Sequence, residues 1–394
     1  MSRVVVLGTG AVGGDVAREL AALDPPPELI VADRDTAAAT RLAEEIGAAL
    51  RPVDVTDADS LAAAVAGAHV VFNSVGPFYR FGALVAHAAV AAGAHYVDIC
   101  DEYDTAEALL ADTALDAAAR AAGLTVLTGM GSTPGMTNLA ARWAAESLDR
   151  IDTVDVVIGV PYVVDMGVNV NDHMLHSMSG EVTQFLDGRA VSVPAWDDPR
   201  PFTFRAPYGT ADYGYMGHPE AVTLGRFLPG VRDAVVRFRW FEDEAVELWR
   251  TFARLGLTDD TEIAGLGLSP RRFLAEYMAS DPGRKNLAIS APEPRPGAVW
   301  QVRMDGSRGG EPTRVTVEGH MVYAREVASG TGNLTAVPAA TGVAELLAGR
   351  ITRRGVLAPE AAIDHAEEFV RDVAARTGVS LFHTVTAGAD LAEA

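Results

Sequence analysis

The chain has 394 residues, which favours two domains over one, and 49% of them are hydrophobic, enough to fill real cores. Its formal net charge of -21, with no concentrated basic patch, argues against a nucleic-acid partner, because such a surface repels a phosphate backbone. A single cysteine, Cys100, excludes an intrachain disulfide and, without a neighbouring Cys/His cluster, makes a structural metal site unexpected.

The start, MSRVVVLGTG, enters a strand almost at once and lacks the basic and apolar segments of a signal peptide. No uncharged apolar run reaches the roughly eighteen residues of a membrane span. The expected location is the cytoplasm. Strand-like and helix-like segments then alternate: VVVLG (4–8), a helix over 11–23, ELIVADR (28–34), a helix over 36–48, AALRP (48–52), a short helix over 57–66, HVVFN (69–73), a helix over 80–92, HYVDI (95–99), a helix over 103–122 and LTVLT (124–128). Continuous apolar strands separated by helices predict a doubly wound parallel α/β sheet, a Rossmann domain, over residues 1–130. GMGSTPG breaks the pattern, and a helix follows from about residue 135 to 148. Beyond it the runs lengthen and alternate: DTVDVVIGV (152–160), VVRFRWFE (235–242), AVWQVRMDG (298–306) and TRVTVEGHMVYA (313–324), with helices near 242–255 and 268–280. Alternation marks half-buried strands, so residues 131–333 are expected to form a central α+β domain with a mixed or antiparallel sheet. Residues 334–394 read as helix, helix and strand (380–386), a C-terminal segment packing back on the first domain.

The opening VVVLGTGAVGGDVAREL sets Gly8, Gly10 and Gly13 as Gly-x-Gly-x-x-Gly between a strand and a helix. The first glycine permits the turn, the second lets backbone approach a pyrophosphate, and the third allows close packing, while the helix N-terminus offers free N–H groups to the anion. The alternative is a Rossmann-like fold without a cofactor, or one for an adenosyl ligand. Asp33 ends the second strand, twenty residues beyond Gly13, where a carboxylate accepts from ribose hydroxyls and repels a 2′-phosphate. This favours NAD; NADP stays possible because Arg34 could face a 2′-phosphate. Asp54 and Val55 suit an adenine contact, or Asp54 caps the helix beginning near Asp57. After the fourth strand, Gly76 and Pro77 form a turn that could pass under the nicotinamide ribose, and Phe78 could pack on the ring or be a buried structural residue.

These stretches, GTGAVGGDVAREL, NSVGPFYRFGALVAHAAVAAGAHYVDICDE and GMGSTPGMTNLAA, with GHPEAVTLGRFLPGVR, EGHMVYAREVASGTG and VAELLAGRITRRGVLAPE further on, resemble the saccharopine dehydrogenase-like family of NAD(P)-dependent reductases. The resemblance implies a Rossmann domain joined to a central domain carrying the substrate surface and much of a homodimer contact. It implies oxidation or reduction of a C–N bond in an amino acid or amine, in a cleft between the domains. It adds Ala11 and Val12 to the pyrophosphate side, Ser74 and Val75 to the nicotinamide side, and Asp98, Cys100 and Asp101 to the substrate side. The loop reads Thr133-Pro134-Gly135 where relatives often have Asp-Pro-Gly.

The chemistry needs a group to handle a proton beside the hydride, and histidine suits neutral pH. His218, His173 and His176 are candidates, with Tyr215 and Tyr323 as relays. The competing reading of His218-Pro219-Glu220 is a helix start. His173 and His176 lie three apart and would share a helical face; with Asp172 they lack a third metal ligand, and ordinary partly exposed helix histidines are the plain alternative. Cys100 could contact the nicotinamide or substrate, or be a buried inert thiol. Asn138 and Asn333 could bind a substrate carboxylate or amine, or cap helices. The expected function is an NAD(P)-dependent oxidoreductase acting on a C–N bond. Its rivals are a reductase of a carbonyl or enoyl substrate, and a non-catalytic dinucleotide-binding or redox-sensing protein.

Overall fold

The computed structural model describes residues 2–164, 166–290, 297–321, 334–388 and 391. The chain forms two compact units, Met1–Trp143 with Ala324–Gly378, and Ala144–Tyr323 with Val379–Ala394. The first opens with β1 (Arg3–Leu7), α1 (Ala11–Ala21), β2 (Glu28–Asp33), α2 (Thr36–Ile46), β3 (Ala49–Pro52), α3 (Ala58–Val65), β4 (Val70–Asn73), α4 (Phe78–Ala91), β5 (His95–Asp98), α5 (Tyr103–Ala111), α6 (Thr113–Ala121), β6 (Thr125–Leu127) and α7 (Met136–Ala145). The second holds β7 (Arg150–Val160), α8 (Val168–Ser177), β8 (Glu181–Leu186), β9 (Arg189–Pro194), β10 (Arg200–Phe204), β11 (Gly209–Tyr215), α9 (Pro219–Phe227), β12 (Asp233–Trp240), α10 (Asp243–Arg254), α11 (Pro270–Ala279), α12 (Asp281–Asn286), β13 (Val299–Arg308) and β14 (Glu311–His320). The chain then returns to the first unit with α13 (Ala336–Leu347), β15 (Gly355–Leu357), α14 (Pro359–Ala362) and α15 (Ala366–Thr377), and closes in the second with β16 (Ser380–Ala387).

The first unit is a seven-stranded sheet in the order β15-β6-β5-β4-β1-β2-β3, parallel throughout. Val4, Val5, Val6 and Leu7 are fully buried, as expected for a strand with helices over both faces. The strand order reverses between β1 and β4, so their carboxyl ends form the switch point where such sheets bind ligands. Two expectations need correction here. Residues 103–122 are two helices, because Asp112 leaves helical geometry and its carboxylate caps α6 by accepting from the Leu115 amide at 2.8 Å. A seventh strand, β15, extends the sheet beside β6; its three residues are too few to show a period.

In the second unit β7 runs parallel to β12 and antiparallel to β13, which pairs with β14, and β14 with β16. The sheet is mixed, as anticipated. Register aligns Val236, Val156, Val302 and Val317 across four strands on one buried face. Gly319 lacks a side chain because a Cβ there would meet the Trp300 indole at 2.4 Å. The strand over 380–387 does not pack back with the rest of residues 334–394: it adds antiparallel to β14, whose edge it satisfies, and so belongs to the second unit. The first unit also extends past residue 130, to Trp143. The β8–β9 hairpin and strands β10 and β11 were not foreseen, since their exposed alternate residues dilute the apolar signal.

Candidate functional site

The glycine turn lies at the carboxyl end of β1. Gly8 has φ of 87°, a left-handed backbone that other residues adopt at a cost. A Cβ on Gly13 would stand 2.1 Å from the Gly8 carbonyl oxygen and 2.3 Å from Ser74 Oγ, so this position admits only glycine. Gly10 differs. It is the N-cap of α1, exposed, and a Cβ there would meet nothing within 4 Å. The space over Gly10 opens on a cavity of about 580 Å³ lined in part by Thr9, Gly10, Ala11 and Gly14. Ala11 is exposed and Val12 half-buried on the first turn of α1. An anion approaching from this side meets bare backbone and a helix N-terminus, so the residues fit a dinucleotide pyrophosphate.

Asp33, at the end of β2, is held by this turn. Its Oδ2 accepts from the Thr9 amide at 2.7 Å and the Thr9 hydroxyl at 2.8 Å, and its Oδ1 from the Asp35 amide at 2.9 Å. Partial burial opposes the charge, but these donors prevail and hold the carboxyl below its ordinary value. The anion is therefore fixed beside the turn, and Arg34 next to it is exposed. Asp54 is exposed and accepts from the Thr56 amide and hydroxyl at 2.9 and 2.6 Å. These Thr56 bonds keep its carboxyl low, with the Arg34 charge contributing. It does not cap α3; Asp57 does, accepting from the Ser60 amide at 2.9 Å. Val55 is half-buried beside Asp54.

Across the switch point, Ser74 donates to the carbonyls of Leu7 and Gly8 at 3.1 Å, tying the 74–78 loop to the glycine turn. Asn73, fully buried, accepts from the Val75 amide at 3.0 Å and donates to the Tyr96 hydroxyl at 3.0 Å. Val75, Gly76 and Pro77 are half-buried, whereas Phe78 is buried as the first residue of α4. Glu102 accepts from the amides of Phe78 and Tyr79 at 3.0 and 2.5 Å. The sequence reading passed over Glu102; the run Asp101-Glu102 ahead of a helix was its only signal.

Asp98 is fully buried and accepts from the amides of Cys100 and Gly129 at 3.0 and 2.7 Å and from the Thr128 hydroxyl at 3.0 Å. Burial outweighs these donors and raises its pKa. Asp98 thus fastens the loop after β6, while Asp101 is half-buried. Cys100 is fully buried, its thiol 3.6 Å from the Glu102 carbonyl oxygen; burial, then the charges of Asp98, Glu102 and Asp101, push the thiol well up and disfavour a thiolate nucleophile. Asn138, fully buried on α7, accepts from the Gly135 amide at 2.9 Å and donates to Glu360 at 3.0 Å.

In the second unit His218 is the N-cap of α9, 3% exposed, and its Nδ1 is hydrogen-bonded to Glu220, itself fully buried. Pro219 does start the helix, yet Glu220 turns back onto His218 rather than toward solvent. That bond fixes which ring nitrogen is left for other partners. The His173 ring from α8 meets the His218 ring edge-on, centroids 6.4 Å apart, which brings together two candidates forty-five positions apart in sequence. His176 lies one turn on and is 3.3 Å from Arg271, which also pairs with Asp172 at 3.3 Å. Among the described residues no group of three His, Cys, Asp or Glu side chains is arranged to hold a metal ion. Tyr215 points elsewhere. Its hydroxyl donates to Asp198 at 2.9 Å, and its ring lies 4.6 Å from the Arg237 guanidinium. It lines a cavity of about 500 Å³ with Asp155, Arg200, Arg237 and Arg303. Tyr323 and Asn333 lie outside the described residues.

Comparison with known proteins agrees with this geometry. Residues 4–127 match the saccharopine dehydrogenase NADP binding domain and residues 168–379 the saccharopine dehydrogenase C-terminal domain. The chain belongs to the saccharopine dehydrogenase-like family of NAD(P)-dependent oxidoreductases. It is 25% identical over 307 residues to a carboxyaminopropylagmatine dehydrogenase from Synechocystis sp., covering 71% of this chain and 72% of that one. The apo saccharopine dehydrogenase (L-Glu forming) from Saccharomyces cerevisiae shares the fold with a TM-score of 0.64 at 18% identity, over 98% of this chain and 100% of that one. An amine dehydrogenase from Mycobacterium smegmatis aligns over 92% of this chain and 95% of that one with a TM-score of 0.45 and 13% identity.

Proposed function

We propose that the protein is an NAD(H)-dependent oxidoreductase acting on a C–N bond of an amino acid or amine. The observation that carries the cofactor half is the pairing of open space over Gly10 with the Asp33 carboxylate held by Thr9. A fixed anion beside the glycine turn accepts from the ribose hydroxyls of NAD and repels a 2′-phosphate. The cofactor supplies the hydride acceptor or donor when bound; the chain's own part is to orient it and to move a proton. Gly8, Gly10, Ala11, Val12 and Gly13 take the pyrophosphate, Asp33, Arg34, Asp54 and Val55 the adenosine, and Ser74 to Phe78 the nicotinamide side. His218, its tautomer set by Glu220, is the proton-handling group in this reading, with the His173 ring beside it. The amine assignment is supported by the name of the Synechocystis relative and by family membership.

The test is formation or consumption of reduced cofactor with NAD and NADP against a panel of amino acids, polyamines and hydroxy acids. Turnover with an amine and NAD is expected. Turnover with hydroxy acids alone would overturn the C–N assignment.

A further inference from the structure

The first helix amides of α4 are orphan donors: Pro77 at the N-cap contributes no side-chain hydrogen bond. Their acceptor comes from twenty-odd residues downstream, in the loop between β5 and α5. Glu102 is 4% exposed; its Oε1 accepts from the Phe78 amide at 3.0 Å and its Oε2 from the Tyr79 amide at 2.5 Å. Thr105, on the first turn of α5, steadies the same Oε2 through its hydroxyl at 3.0 Å. The 74–78 loop is thus pinned at both ends, to the glycine turn by Ser74 and to the β5–α5 loop by Glu102. Neither end is held by contacts that Pro77 or Gly76 could supply themselves.

We propose that Glu102 is a positioning residue for the cofactor: by clamping the first two amides of α4 it sets the path of residues 74–78 at the switch point. This rests on the reading that those residues face the nicotinamide. A bidentate carboxylate does this better than a neutral side chain, because the acceptors are charged and the helix N-terminus favours the anion. Among the described residues, the titratable groups coupled to it are Asp101 in its own loop and Cys100 behind it, itself coupled to Asp98; Asp104 follows on the first turn of α5, and Tyr79, whose amide it holds, is exposed on α4 with Arg80. Burial and then the Asp101 charge raise the Glu102 carboxyl to about 7. Acidification through neutrality therefore converts the clamp from two acceptors to one and should loosen the loop.

Two measurements on the full chain separate this proposal from the cofactor reading. Hydrogen exchange of the segment 74–80 without cofactor reads the clamp. NADH dissociation constants from pH 6 to 8 read its consequence. In wild type the constant should rise about five- to tenfold from pH 8 to pH 6. Glu102→Gln should speed exchange of the segment, raise the constant about tenfold at pH 8 and flatten its pH profile, with KM for NADH rising more than kcat falls. Thr105→Val, a milder change, should move the same quantities in the same direction by about two- to threefold, and Glu102→Asp should restore part of the pH dependence. Faster exchange with an unchanged NADH constant and an unchanged pH profile overturns the positioning role. A wild-type protein that binds no dinucleotide overturns the cofactor reading itself, and the positioning role with it.

Discussion

Gly10 and Gly13 of the opening turn should respond to alanine in opposite ways, and the contrast tests the cofactor site without a substrate. Gly10 has φ of -64° and ψ of -170°, values open to any residue, and its Cβ would project into space empty to 4 Å. Gly10→Ala should therefore fold normally, with a stability change within about 1 kcal/mol, the range for an N-cap exchange. The methyl would stand where a pyrophosphate must approach the backbone. Holding the phosphate off the α1 amides by the depth of a methyl group forfeits short charge-assisted hydrogen bonds of roughly 1.5–3 kcal/mol each. At about 1.4 kcal/mol per tenfold, losing one to two of them, roughly 1.5–6 kcal/mol, weakens NADH binding by roughly 10- to 10,000-fold. Gly13→Ala is the opposite case. Its Cβ at 2.1 Å from the Gly8 carbonyl oxygen forces backbone apart, an overpacking cost of roughly 1–3 kcal/mol or more, which lowers Tm by several degrees before any ligand is added. The assay is thermal unfolding of both variants with and without NADH, alongside fluorescence titration. If Gly10→Ala binds NADH as wild type does, the pyrophosphate does not lie over Gly10 and the reasoning fails.

Asp33→Ala should bring the NADP and NAD dissociation constants at least tenfold closer, since it removes both an acceptor for the ribose and the charge opposing a 2′-phosphate; an unchanged ratio removes Asp33 from the site. His218→Asn should lower kcat at least a hundredfold while leaving the NADH dissociation constant within twofold, and normal turnover would take His218 out of the chemistry. The pH dependence of stability follows from Glu102. Its folded pKa of about 7 exceeds the unfolded value of about 4.3, so the folded state holds the extra proton between them. Its contribution is greatest below about pH 4.3 and is lost as pH rises toward 7, a change on the order of 3 kcal/mol, and Glu102→Gln should abolish that slope in denaturant titrations. Asp155→Ala should cost roughly 1–3 kcal/mol, because the Arg237 guanidinium, 1% exposed, loses the carboxylate 2.8 Å away while keeping Asp198 at 2.9 Å; a neutral effect on chemical denaturation would contradict this.

Much of the first unit was legible because its signals are local. Gly8, Gly10 and Gly13 sit within six residues, and the run Val4–Leu7 is apolar without interruption, so turn, strand and helix follow from neighbouring residues alone. Asp33 was legible for the same reason: it ends the next strand. The strands of the second unit's sheet were legible as well, since β7, β12, β13 and β14 are runs of eight or more residues carrying β-branched and aromatic side chains. Three things lay beyond it. The break at Asp112 and the strand over 355–357 depend on a single cap and on a neighbour that chain order does not reveal. The destination of the last strand depends on which sheet has an edge to pair, and β14 offers it.

The site divides along the same line. Composition and spacing determined that a dinucleotide turn begins the chain and that a carboxylate stands one strand away, because backbone geometry forces glycine at φ of 87° and sheet pairing brings β2 beside β1. Tertiary structure alone decided the partners of each polar group: Thr9 for Asp33, Glu220 and the His173 ring for His218, Asp198 and the buried Arg237 for Tyr215, and Glu102 for the start of α4. These pairings span up to forty-five positions, and they exist because a buried donor or acceptor must find a partner wherever the fold delivers one.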